Sequence, residues 1–104
     1  MNSTEEMLCI QLIAYAGEAK ANFIEAIYEC VEGNLYKAEE LFKSGKEALI
    51  EAHEHHYTLI QKEANNELDK VTLLIVHSED QLAGAEIFEV VACTAIRHLT
   101  NKGV

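Results

Sequence analysis

The feature that most constrains the fold of this chain is the absence of proline from all 104 residues. Proline is the residue that most reliably stops an α-helix, so a helix here can continue until another signal ends it. Two such signals occur, Gly33-Asn34 and Asn65-Asn66, and both are typical of turns between periodic segments. The chain is therefore divided into three long segments that favour helix.

The three segments have predicted ends. Ser3 or Thr4 begins the first helix, which runs to about Val31, and the second occupies the stretch between the two turns. The third runs from about Leu68 to His98. Each is about 30 residues long, or roughly 45 Å at 1.5 Å per residue. Short connections between such helices predict an all-α fold, an antiparallel up-down-up three-helix bundle, with residues 1–104 as a single domain.

The net charge limits which kinds of partner the chain can bind, and the cysteines indicate whether its compartment is reducing. The net charge is -10, from 18 acidic and 8 basic residues, which repels nucleic acid and favours either a basic protein partner or simple solubility. Cys9, Cys30 and Cys93 lie far apart among apolar residues, so we expect reduced thiols. The sequence has neither a signal peptide nor an apolar run of about 20 residues, which predicts a soluble, cytoplasmic protein without membrane insertion.

A carboxylate interrupts an apolar stripe on the third helix. Asp80 occupies a position where the helical period calls for an aliphatic residue. An unpaired buried carboxylate costs several kcal/mol, so Asp80 lies at an edge, is protonated, is paired, or holds a cation. If the third helices of identical subunits met on an axis, their Asp80 side chains would converge on a divalent cation. The stripe consists of Leu73, Val76, Asp80, Ala83, Gly84, Ile87, Val90 and Val91.

His77 lies beside this stripe, one helical turn before Asp80. A histidine in such a place is commonly structural, but an exposed neutral imidazole is also well suited to carry a group covalently near neutral pH. The chain has no glycine-rich phosphate loop and no nucleotide fingerprint, which predicts that no nucleotide is bound. A phosphoryl group on this chain would have to come from another protein.

A second histidine cluster lies in the middle helix. His53 and His56 are one turn apart, a spacing that allows joint metal binding, and His55 points elsewhere. The zinc-protease motif His-Glu-x-x-His fails, because Tyr57 occupies its last position. A half-exposed helix face is the simpler interpretation of these residues.

The order and spacing of several segments resemble the IIA component of the lactose/cellobiose class of the bacterial sugar phosphotransferase system. The resemblance extends from about Leu12 to Leu99. Its strongest part is the third helix, where Val76-His77, Asp80 and Leu82 match the family's Val-His-Ala-Gln-Asp-His-Leu-Met. The other matching segments are Ala16-Gly17, Gly33-Asn34, Ala38-Glu39-Glu40-Leu41, Ala52-His53 and Leu59-Ile60-Gln61-Lys62-Glu63-Ala64.

This resemblance implies a fold, a site and a set of partners. It implies a homotrimer in which Asp80 of each subunit surrounds one Mg²⁺ per trimer on the threefold axis. It implies that His77 is the phosphorylated histidine of a phosphotransferase component. The phosphoryl donor would be the phosphocarrier protein HPr, and the acceptor would be a cysteine of the IIB component. The sugar would be phosphorylated later, during uptake through the membrane component IIC.

The chain also departs from the family pattern around the expected site. Ser78 and Glu79 replace Ala-Gln, and Gln81 replaces a second histidine but remains a possible contact for the phosphate. Glu79 is expected to add repulsion near a phosphate on His77. The remaining departures are Glu18 for Asn, His56-Tyr57 for Gln-Thr, and Ala83 for Met.

Two other functions stay open at this point. One is a paralogue that binds partners for regulation without transferring phosphate, which the departures around His77 favour. The other is a cation-binding helical oligomer that uses Asp80 or the His53/His56 pair. The sequence leaves open the sugar and the phosphorylated ring nitrogen.

Overall fold

Three helices make up nearly the whole described chain. The computed structural model describes residues 3–68 and 70–101, with α1 at Ser3–Val31, α2 at Leu35–Ala64 and α3 at Leu73–Asn101. Within these two ranges there is no strand, and the predicted all-α class is confirmed. None of the described helices is long and apolar enough to cross a membrane. The molecule is a rod with extents of 53 × 19 × 18 Å.

Contacts between side chains establish the up-down-up order. Phe23 of α1 packs against Phe42 of α2 with ring centroids 5.5 Å apart, and Tyr15 lies 5.4 Å from His55 nearer the other end. These pairs run in opposite directions along the two helices, so α1 and α2 are antiparallel. Between α1 and α3 the order is parallel, because Cys9 contacts Ser78 and Lys20 lies over the ring of Phe88.

The two predicted turns end their helices by the same backbone device. Gly33 has φ of 82°, and the next amide, Asn34 N, donates to Glu29 O at 2.8 Å. Asn66 has φ of 58°, and Glu67 N donates to Lys62 O at 2.8 Å. In both turns a residue with left-handed backbone is followed by a hydrogen bond to the carbonyl five residues earlier, and this bond satisfies one of the last carbonyls of the helix. Glycine and asparagine adopt the left-handed region most readily.

The predicted start of α3 was wrong by about one turn. The helix begins at Leu73 instead of Leu68, because the hydroxyl of Thr72 accepts a hydrogen bond from Ile75 N at 3.3 Å. This bond satisfies one of the free amides of the first turn, as an N-cap residue does. Asp69, which the prediction placed in the helix, lies outside the described residues, as does the tail beyond Asn101.

The core runs along the whole rod and is built mainly from small and aliphatic side chains. Phe23 is its largest fully buried member, and it lies against α2 at Gly45. A Cβ at residue 45 would fall 2.6 Å from a ring carbon of Phe23, so only glycine lets α2 approach this closely. The inner face of α3 consists of Ile75, Ser78, Leu82, Ala85, Ala92 and Leu99.

Candidate functional site

The apolar stripe that contains Asp80 does not face the core of the bundle. Leu73, Ile87 and Val90 are 84%, 62% and 64% exposed, and the other face of α3 packs against α1 and α2. Helix α3 therefore has two apolar faces, one buried within the chain and one directed outward. We call the outward set the outer stripe; it consists of Leu73, Val76, Asp80, Ala83, Ile87, Val90 and Val91.

His77 lies in the second turn of α3 with its side chain exposed. Within the described part of the chain it makes no hydrogen bond or ion pair, so neither ring nitrogen is engaged. Asp80 and Gln81 follow at the i+3 and i+4 positions and share its side of the helix. The predicted site residues are thus neighbours on one helical surface that is open to a partner.

Asp80 is exposed and lies within the outer stripe. Mg²⁺ prefers six oxygen ligands, and one carboxylate does not complete such a shell. Residues 3–68 and 70–101 contain no cluster of three or more His, Cys, Asp or Glu side chains that could hold a metal ion within one chain. The hard oxygen donors of Asp80 suit Mg²⁺, but only if several copies of α3 bring their carboxylates together.

Ser78 anchors the turn that carries His77 to the core. It is fully buried, and its hydroxyl donates to Ile75 O at 2.7 Å. Cys9 of α1 lies against Ser78 and is likewise fully buried. Burial raises the pKa of the Cys9 thiol, and the nearby hydroxyl of Ser78 opposes that rise only in part. Cys9 is consequently an uncharged packing group beneath the site.

Glu79 points toward α2 and away from His77. Its Oε1 lies 2.7 Å from Nε2 of His56, within hydrogen-bond distance. Residues two apart on a helix do not face each other, so this carboxylate lies on the opposite flank of α3 from the imidazole of His77. The expected repulsion between Glu79 and a phosphate on His77 is therefore weakened by distance and by the His56 partner.

The His53/His56 pair is not arranged as a shared metal site. His53 Nε2 lies 3.8 Å from a carboxylate oxygen of Glu86, while His56 is bound to Glu79. His55 points away from the other two, as predicted: its ring packs against Tyr15 of α1, and its Nδ1 lies 2.7 Å from Glu51 O within α2. Each of these histidines thus has its own partner.

Comparison with known proteins places this three-helix chain in a family. A family model described as the lactose/cellobiose-specific IIA subunit of the phosphotransferase system matches residues 7–99. The chain belongs to this family. It is 35% identical to the oligo-beta-mannoside-specific EIIA component of Bacillus subtilis over 81 residues, which are 78% of this chain and 74% of that protein. The lichenan-specific IIA component of the same organism is 34% identical over 82% of this chain and 77% of its own length.

The fold of this IIA-family chain agrees with that of a solved relative. The crystal structure of the cellobiose-specific enzyme IIA from Bacillus anthracis superposes with a TM-score of 0.90 at 31% sequence identity. The superposition covers 99% of this chain and 94% of that one. The relatives are components of sugar phosphotransferase systems, which assigns this chain to that class of proteins.

The departures of this IIA-family chain from the family pattern lie in different places. Ser78 is buried, Ala83 belongs to the outer stripe, and Gln81 is half-buried one turn beyond His77. Glu18 lines a separate groove between α1 and α2, together with Glu47 and Glu51. His56 and Glu79 are partners of each other, so these two departures form one structural change.

Proposed function

We propose that this chain is a phosphocarrier IIA component, in which His77 accepts a phosphoryl group from HPr and passes it to the IIB component. One observation carries this proposal: His77 is exposed and unengaged on the α3 surface of a chain with the family's fold. Water can satisfy such an exposed imidazole, so no contact within the described chain has to break before a partner reaches it. Here both ring nitrogens stay available to a docking protein.

The proposed chemistry is a relay of one phosphoryl group between nucleophiles. A neutral ring nitrogen of His77 attacks the phosphorus of phosphorylated HPr, so that a P–N bond forms here while the donor's P–N bond breaks. In the second step the P–N bond on His77 breaks as a cysteine sulfur of IIB forms a P–S bond. Transfer of this kind depends mainly on in-line positioning and charge stabilisation. The amide of Gln81, one turn away, would donate a hydrogen bond to a phosphate oxygen.

The proposed assembly is a homotrimer formed through the outer stripe. The exposed apolar side chains of α3 support it, because a monomer would leave them in water. Asp80 of each subunit would then meet the other two on the axis and hold one Mg²⁺. The ion would supply two positive charges that offset most of the negative charge of the three carboxylates, and it would take no part in the transfer steps. The membrane component would choose the sugar, which need not touch this chain.

A phosphorylation assay tests the carrier function. The chain is incubated with phosphoenolpyruvate, enzyme I and HPr, and the mass of the intact protein is measured. We expect one acid-labile phosphate on the wild type, none on His77→Ala, and one on His98→Ala, which removes another exposed histidine of α3. The oligo-beta-mannoside-specific EIIA component of Bacillus subtilis serves as the positive control. If it is phosphorylated in the same mixture and the wild-type chain is not, the result would contradict the carrier function and favour the regulatory paralogue.

A further inference from the structure

Three consecutive residues of α3 point in three directions at the candidate site. His77 is exposed, Ser78 is buried against Cys9 of α1, and Glu79 reaches across to α2. The turn that carries the reactive imidazole is therefore attached to each of the other two helices. Ser78 resists displacement away from the core, and Glu79 resists rotation of the turn about the axis of α3.

The attachment to α2 is a short, partly shielded contact. His56 Nε2 and Glu79 Oε1 are 2.7 Å apart, with side-chain exposures of 19% and 50%. The other ion pairs between α2 and α3 in the described ranges are longer, at 3.5 Å for Lys46–Glu89 and 3.8 Å for His53–Glu86. When Nε2 of His56 carries a proton, a contact of 2.7 Å is a formed hydrogen bond to the carboxylate, whereas 3.8 Å is beyond hydrogen-bond distance.

We propose that His56 is a positioning residue for phosphoryl transfer, which acts through Glu79 to hold the imidazole of His77 in its reactive orientation. This inference rests on the proposed carrier function. In-line attack tolerates little displacement, and an error of about 1 Å costs up to ~100-fold in rate. A bond that ends two residues from the nucleophile controls displacements of that size, because the helical backbone between them is rigid.

A set of five variants tests this role. They are His56→Ala, Glu79→Ala, the double alanine variant, the double variant His56→Gln with Glu79→Gln, and His53→Ala as the control. His53 occupies the same face of α2 and pairs with α3 through the longer contact. Three quantities are measured for each variant: kcat and KM for transfer from phosphorylated HPr, and the amide hydrogen exchange of residues 76–81.

The pair predicts a specific pattern in kcat. We expect His56→Ala and Glu79→Ala each to lower kcat by about 3- to 10-fold, with KM within about 2-fold of wild type, because the docking surface is kept. The double alanine variant should be no slower than either single variant, since one interaction is lost in all three. The double glutamine variant should recover most of the rate, because two amides donate and accept across the same gap. Amide exchange should rise in the alanine variants and stay at the wild-type rate in His53→Ala.

Several outcomes would overturn the positioning role. A Glu79→Ala variant as fast as wild type or faster would mean that the carboxylate only repels the phosphate. Equal effects of His56→Ala and His53→Ala, or independent losses that multiply in the double alanine variant, would also contradict it. A wild type that takes up no phosphate would overturn the carrier function itself, and this failure is seen before any variant is compared.

Discussion

At the scale of single residues, the surroundings of His77 differ sharply between its two sides. Toward solvent the imidazole has no partner in the described chain, and toward the core the adjacent Ser78 and Cys9 are fully buried against each other. The site therefore combines an exposed nucleophile with a rigid, buried layer of side chains beneath it. Because that layer contains the ionisable thiol of Cys9, the stability of the folded state depends on alkaline pH.

Cys9 gives a testable pH dependence of stability. Burial raises the pKa of its thiol in the folded state, so the unfolded chain loses this proton first as the pH rises above about 8.5. The folded state then binds more protons, and the free energy of unfolding falls with pH, by at most about 1.4 kcal/mol per pH unit from this group. Urea unfolding between pH 8 and 10 should show a steeper decline for wild type than for Cys9→Ala. Parallel declines would contradict the assignment.

The unusual positions of His77 and Asp80, beside and within an apolar stripe, could be predicted from the sequence. The pairing of His56 with Glu79 could not. A titratable residue on or beside an apolar stripe is a local signal, because helical spacing alone defines the stripe. The pair joins two helices, and each member seemed an isolated departure along the chain. Its detection requires the register of α2 against α3, which the hydrophobic pattern does not fix to within one residue.

At the scale of helices, local chemistry decided the ends more reliably than periodicity did. The turns at Gly33 and Asn66 were predictable, because left-handed backbone at a helix end favours those residue types. The start of α3 was not, since the apolar pattern continues ahead of the Thr72 cap. The hydrophobic pattern also did not show which apolar face of α3 is buried within the chain. The buried face and the solvent-exposed face are both apolar, so their composition does not distinguish them.

Gly45 provides a prediction about the contact between α1 and α2. Gly45→Ala places a methyl group 2.6 Å from the ring of Phe23, and overpacking of this kind typically costs about 1–3 kcal/mol. The better helix propensity of alanine returns about 1 kcal/mol. We expect a net loss in the free energy of unfolding, measured by urea titration. The control Gly17→Ala meets nothing within 4 Å and should gain about 0.5–1 kcal/mol. Equal stability of the two variants would contradict the close packing.

At the scale of the whole molecule, the outer stripe of a single chain leaves a row of apolar side chains exposed to solvent. All of its members are exposed and all except Asp80 are apolar, while the inner face of the same helix is buried against the other two helices. The proposed trimer would cover this surface. In such an assembly, a substitution in the outer stripe would change the association of chains without changing the fold of one chain.

Substitution within the outer stripe should separate folding from association. Ile87 is 62% exposed in one chain, and Ile50 on α2 is 56% exposed, so the two form a matched pair. We expect Ile87→Glu to sediment as a monomer with unchanged helical circular dichroism, because only the contact between copies is lost. Ile50→Glu should sediment as the wild type does. A wild type that is monomeric at micromolar concentration, or an Ile87→Glu variant that remains trimeric, would contradict assembly through this stripe.

Removal of magnesium should weaken the proposed trimer through Asp80. Without a cation, three converging carboxylates repel each other at short distance. We expect a chelator to shift wild type toward monomers in sedimentation velocity, and Asp80→Leu to remain trimeric in the same buffer because its side chain is uncharged and apolar. If chelation left the wild-type trimer intact and changed neither protein, Asp80 would not be a shared ligand.

The exposure of His77 has a consequence for the lifetime of the state that it is proposed to carry. No part of the described chain covers this imidazole, so water reaches a phosphorylated ring as easily as a partner protein does. An enzyme that encloses a labile intermediate protects it by excluding water. Here the phosphoryl group would survive only because delivery outpaces hydrolysis, so the efficiency of the relay would depend on the concentration of its acceptor and on how often the two proteins collide.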